Sequence, residues 1–201
     1  MAHMSRLILS ILPAAAVILL LCVGPKAAFA QTTTNTQSPP VNTYDQDQIL
    51  QTGHQFFGSV SGGLASVVER AFASYGEPNG YILGEEGSGA FVAGARFGEG
   101  QLYTRNAGNH KIFWQGPSIG FDFGADGARV MMLIYNLPSI DRVYDRFSGV
   151  NGSAYLVGGV GMTVLAKDSV FVVPIKAGVG ARLGLNLGYL KFTREPTWNP
   201  F

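Results

Sequence analysis

From Phe171 to Tyr189 every odd position is apolar: Phe171, Val173, Ile175, Ala177, Val179, Ala181, Leu183, Leu185, Leu187 and Tyr189. The even positions between them include Lys176, Gly178, Gly180, Arg182, Gly184, Asn186 and Gly188. Successive side chains of a strand point to opposite faces, so this period of two predicts one long bent strand or a hairpin with an odd loop. The glycines of the stretch AGVGARLG (177–184) then form the strand's second face. A dinucleotide loop needs a helix N-terminus directly after its glycines, and none begins at Gly184.

The N-terminal half has a different rhythm. Thr43 can cap a helix running to Phe57, with Ile49, Gly53, Phe56 and Phe57 along one side. A second helix starts near Ser59 or Ser61. Its apolar positions Val60, Leu64, Val67, Val68, Ala71, Phe72 and Tyr75 recur at three- and four-residue steps, and Gly76 stops it. After Pro78 the period changes to two. Strands are predicted at 81–83, 90–97, 101–105, 111–115, 119–123 and 129–135, with turn chemistry at 84–87, 98–100, 106–109 and 125–127. Ser139 caps a predicted short helix with Ile140, Val143, Tyr144 and Phe147 as its stripe and Gly149 as its end. Apolar segments at 153–166 and 170–192 complete the series. Many short strands separated by glycine turns, after two one-sided helices, predict a mainly β fold. The expected form is a small soluble antiparallel β-barrel with N-terminal amphipathic helices and one short inserted helix.

The first thirty residues stand apart. Arg6, an apolar run from Leu7 to Val23 and the small-x-small triplet Ala28-Phe29-Ala30 read as a signal peptide cut before Gln31. The expected organisation is a signal peptide at 1–30, a flexible polar linker at 31–42 and a single helix-plus-barrel domain at 43–201. Periplasmic delivery follows, with no membrane span after cleavage. Cys22, the only cysteine, lies in the leader, so the delivered chain would lack disulfides, thiolate zinc ligands and thiol catalysis. Without Arg6 and Lys26, 12 of the 14 basic residues face 13 acidic ones. Such a balance selects neither nucleic acid nor anionic lipid.

Candidate chemistry is sparse. Gly116-Pro-Ser-Ile-Gly120 spells G-x-S-x-G, but the chain continues in strand phase and no histidine follows His110, so a hydrolase elbow is excluded and a turn or bulge is expected. The terminal Phe201 resembles the end of an outer-membrane barrel, yet Pro196 and Pro200 would break its last ladder. His54 and His110 have no ligand-spaced partners, so neither metal nor other cofactor is expected. Glu85-Glu86 reads as a solvated turn rather than a catalytic pair, and Asp141, Arg142, Asp145 and Arg146 as the wet side of a short helix. The most suggestive group is Arg105, His110, Lys111 and Trp114, a basic hairpin beside an aromatic ring. It is the candidate ligand-binding set for an anionic head group or glycan phosphate.

The strings GYILGEEGSGAFVAGARFGEGQLYTRNAGNHKIFWQGPSIGFDFG (80–124), VMMLIYNLPSIDRVYDRFSGVNGSAYLVGGVGMTVL (130–165) and VPIKAGVGARLGLNLGYLKFTREPTWNPF (173–201) closely resemble the alphaproteobacterial envelope integrity protein A family. That resemblance implies a periplasmic barrel with helices that supports the cell envelope without established enzymatic activity. The layout is more distantly similar to SYLF lipid-binding domains. Two modes of action are expected, binding of an envelope lipid or glycolipid and scaffolding of a periplasmic protein partner. Catalysis on envelope polymers ranks below both.

Overall fold

The computed structural model describes residues 42–58, 62–89, 93–119, 128–178 and 188–197. Two helices come first, α1 (Gln46–Phe57) and α2 (Gly63–Tyr75). Asp45, not Thr43, caps α1: its carboxylate accepts from the Gln48 N–H at 2.9 Å. Gly76, at φ 77°, ends α2.

Among the described residues ten strands follow, β1 (Gly80–Gly89), β2 (Ala93–Thr104), β3 (Gly108–Ile119), β4 (Ala128–Tyr135), β5 (Arg146–Gly149), β6 (Tyr155–Val157), β7 (Val160–Met162), β8 (Leu165–Lys167), β9 (Val170–Ala177) and β10 (Tyr189–Thr193). Every pairing is antiparallel. The order β4-β1-β2-β3-β10-β5-β8-β9 closes on itself because β9 pairs back with β4, from Val130↔Lys176 to Tyr135↔Phe171. Eight strands therefore make a closed barrel without free edges in that ring. The β6–β7 hairpin extends from the far end of β9.

Strand alternation sorts the apolar residues into two cores. Inward-facing Ile82, Leu102, Ile112, Trp114, Val130, Met132, Ile134, Phe147, Val172, Leu190 and Phe192 fill the barrel. The opposite faces of β4 and β9, through Met131, Leu133, Tyr135, Val173 and Ile175, pack with Ile49, Leu64, Val67, Val68 and Ala71 of the helices. Both faces of β4 are thus buried from Val130 to Tyr135. The odd apolar positions of 171–177 face the helices, and the even ones face the barrel interior. At Gly53 and Gly63 a methyl group would press on Leu64 (2.8 Å) and on the Val157 carbonyl (2.6 Å). Those two glycines let α1 meet α2, and α2 meet the β6–β7 turn.

Several sequence expectations change. The glycines at 84–87 and 98–100 are not turns. They lie inside the long strands β1 and β2, in the register Gly84↔Gly100 and Glu86↔Gly98. Trp114 accounts for two of them: a methyl on Gly98 would overlap its indole, and one on Gly84 would sit 2.6 Å from it and press on the Glu99 carbonyl, while one on Gly100 would press on the Leu83 carbonyl. The segment after Ser139 forms a four-residue 3₁₀ turn (Ile140–Val143), and Phe147 belongs to β5, where strand geometry turns its ring into the barrel core. Gly116-Pro-Ser-Ile continues β3 rather than turning, because β2 pairs with it from Gly94↔Ser118 to Arg96↔Gly116. The long alternating strand breaks after Ala177, since Gly178 has φ +88°. Residues 179–187, the predicted strand beyond Ile119 and the 125–127 turn lie outside the described residues. The Asn106–Gly108 turn is present, closed by Thr104 Oγ1, which accepts from the Ala107 N–H and donates to the Gly108 carbonyl.

Candidate functional site

Behind the wall formed by β1, β2 and β3, the described interior of the barrel holds a charged cluster. Glu86, expected in a solvated turn, is buried and faces inward from β1. Its carboxylate accepts from the Lys176 ammonium at 2.5 Å and from the Trp114 indole N–H at 2.8 Å. Arg96, on the neighbouring strand, is buried with them. Burial alone pushes the Glu86 carboxyl up. The Lys176 and Arg96 charges, with the two hydrogen bonds, more than offset it and hold the group below the ordinary carboxylate range. A carboxylate so placed is ionised and fully engaged, which suits an internal tie between β1, β3 and β9 better than proton transfer.

On the outer side of the same wall lies a groove of about 310 Å³. Phe97 and Phe113 form its apolar sides, Pro196 and Thr197 border it, and Glu85 and Glu99 stand at its acidic end. The glycines that admit Trp114 also thin this wall, so the groove reaches the backbone at Gly98 and Gly87. Gln115 lines it as well. Its neighbour Trp114 faces inward, so Gln115 faces outward, yet it is only 1 % exposed and neither its amide nitrogen nor its oxygen has a hydrogen-bond partner. Buried polar groups are nearly always paired, so a double vacancy of this kind requires a cause. A wider hollow of about 720 Å³ lies along Tyr144–Arg146 and Lys191–Thr197. Its charges are largely matched, Asp145 by Lys167 and Arg194 by Asp141.

The sequence-predicted set does not converge. Arg105 donates to the Thr43 carbonyl at 3.2 Å and to Gln48, and stacks on Tyr44 with 4.4 Å to the ring centre. It fastens the β2–β3 turn to the start of α1. His110 lies 2.7 Å from the Ala107 carbonyl within its own turn. Lys111 pairs with Glu99 at 3.1 Å across the strands, both side chains being exposed. Trp114 lies on the opposite side of the sheet, in the barrel core. Sequence reasoning missed Gln115, Glu86 and Lys176. For Lys176 a signal existed: a lone charge between Ile175 and Ala177 in an apolar strand. Nothing local marked Gln115, an outward polar position in a strand. Among the described residues, no three of His, Cys, Asp and Glu come together as a metal site would require.

The architecture defines a class: a closed eight-stranded antiparallel barrel, its described interior packed with side chains, carrying two helices on its outside. Membrane-embedded barrels have an apolar outer band and a polar lumen. Here the lumen is mostly apolar and the outer face of β1–β3 carries Glu85, Glu99, Gln101 and Lys111. No helix among the described residues is long and apolar enough to cross a membrane. The envelope integrity protein A family model matches residues 42–201, and the chain belongs to that family. Among solved structures it is similar to a beta-barrel-like, uncharacterized protein from Brucella abortus. The two share 62% identity over 80% of this chain and 99% of the other, with a TM-score of 0.75. No curated protein matches the chain.

Proposed function

We propose that this chain is a non-catalytic periplasmic protein that supports cell-envelope integrity as a scaffold, acting through the outside of a rigid barrel. The observation that carries this reading is the filled interior. Fourteen buried residues from Ile82 to Phe192 form one inner core, so the barrel offers an acyl chain no lumen among the described residues. The family's role in the envelope supports the setting, and the leader-like N-terminus supports export. The full engagement of Glu86 by Lys176 and Trp114 supports a role without catalysis. Lipid or glycolipid binding is the second reading, favoured by the apolar sides of the outer groove. In that case the lipid sits outside the barrel.

Loss of the gene should sensitise cells to detergent and to cell-wall antibiotics, and the full chain should restore resistance. A variant without residues 1–30, retained in the cytoplasm, should not. Restoration by the leaderless chain would overturn the periplasmic reading.

A further inference from the structure

We infer that the segment from Leu137 to Asp145 is a strap over one end of the barrel, anchored at both ends and latched in its middle by ion pairs that salt releases. The device is independent of the envelope role.

The segment leaves β4 at Tyr135 and enters β5 at Arg146. Around the ring β9 and β8 stand between those strands, so their connection crosses the barrel's end. That end is remote from Glu86, since Gly80 of β1 pairs there with Ile134. The underside of the strap is apolar. Val143 is buried in the inner core, and Leu137, Ile140 and Tyr144 pack against it.

Different forces hold its ends and its middle. At the start both arms of the Asn79 amide grip the Leu137 backbone: Nδ2 donates to the carbonyl at 2.8 Å and Oδ1 accepts from the N–H at 3.1 Å. At the finish the Phe192 N–H donates to the Asp145 carbonyl at 2.9 Å. These hydrogen bonds join neutral groups. The middle carries two charges, each tied to another part of the chain. Arg142 meets Asp168 beyond β8 at 2.6 Å, and Asp141 meets Arg194 beyond β10. Arg194 also lies over the Tyr144 ring, 4.1 Å from its centre, and so clasps the strap from outside. The four charged side chains are between 46 % and 74 % exposed. Salt screens exposed charges over about 10 Å at 0.1 M and about 3 Å at 1 M. Raising the salt therefore weakens the latch and spares the anchors. Release lifts Ile140, Val143 and Tyr144 and uncovers the apolar end of the barrel, while the strand ladders stay paired.

The test is hydrogen–deuterium exchange of the full chain, read by mass spectrometry at low salt and in about 1 M sodium chloride. Exchange across 139–145 should quicken at least threefold in high salt, with 130–135 of β4 unchanged. The Asp141→Asn/Arg142→Gln variant should exchange at low salt as fast as wild type does at high salt, and gain nothing more from salt. Its unfolding transition should match that of wild type, because both side chains are exposed and the ladders are untouched. Nile red, an uncharged apolar dye, should brighten wherever the strap exchanges faster. Four results overturn the proposal: exchange of the strap that ignores salt, the same salt response in the variant, equal acceleration of β4, or faster exchange without a change in dye emission. The third would mean general loosening, and the fourth would mean that nothing apolar is uncovered.

Discussion

The barrel wall at β4 and the wall at β2–β3 solve opposite packing problems with the same alternation of side chains. At β4 both faces are apolar and large. Val130, Met132 and Ile134 fill the barrel while Met131, Leu133 and Tyr135 seat the helices. At β2–β3 one large ring, Trp114, takes the inner space, and Gly84 and Gly98 give up theirs to admit it. The outer face there carries charge and a groove instead of a helix. The first wall seats the helices, and the second leaves its outer face to charge and a groove.

The largest effect that would break this contrast lies in the ionic tie behind the thin wall. Lys176→Met strands the buried Glu86 carboxylate beside Arg96 and should cost about 3–5 kcal/mol. Adding Glu86→Gln should recover part of that loss, as read by urea unfolding. If Lys176→Met were neutral, the cluster would not tie β1 to β9. The pH dependence has a fixed sign. The folded Glu86 pKa is depressed, so its contribution is present above the ordinary carboxylate range and is lost as pH falls through that range towards the folded value. The Lys176→Met/Glu86→Gln variant should show a shallower acid decline than wild type.

A smaller effect follows from Gly98→Ala. The new methyl overlaps the Trp114 indole, and overpacking of this kind costs about 1–3 kcal/mol. The indole fluorescence should shift as the ring moves, whereas Leu133→Ala on the helix side should lower stability without that shift. An unchanged Gly98→Ala emission would show that the glycines are not there for Trp114. The smallest effect has the opposite direction. The Tyr135 hydroxyl is buried without a partner, and burial holds it protonated far above its ordinary range. Tyr135→Phe removes that unpaired group and should leave stability equal or raise it by about 1 kcal/mol, measured by thermal unfolding. A loss instead would reveal a hydrogen bond to the hydroxyl.

Much of the fold was legible because its signals are local. Three- and four-residue spacing marked both helices, and period two marked β4, β9 and β10. Alternation alone could not say which face of β9 points inward, since that depends on where the helices dock. The glycines of β1 and β2 read as turns because glycine usually punctuates strands. The cause at Gly84 and Gly98, close approach of the Trp114 ring and of the paired strand, is a tertiary contact that no local window contains. Phe147 read as helical for a similar reason: its spacing from Ile140 and Val143 fits a helix, while pairing with β10 through Phe147↔Leu190 decides the matter. At the candidate site, Arg105, His110, Lys111 and Trp114 were close in sequence, but strand alternation sends Trp114 to the far side. Gln115, the residue that does mark the groove, looked like any outward polar residue of a strand.

The most direct measurement is an NMR titration of the full chain carrying labelled isoleucine and methionine methyl groups and labelled backbone amides. The probe is a short-chain phospholipid. A filled barrel that acts through its outer face should keep the Ile82, Ile112 and Met132 methyl signals fixed as it is added. Movement of the interior methyls on adding phospholipid would place a ligand inside the barrel and contradict the filled-interior account.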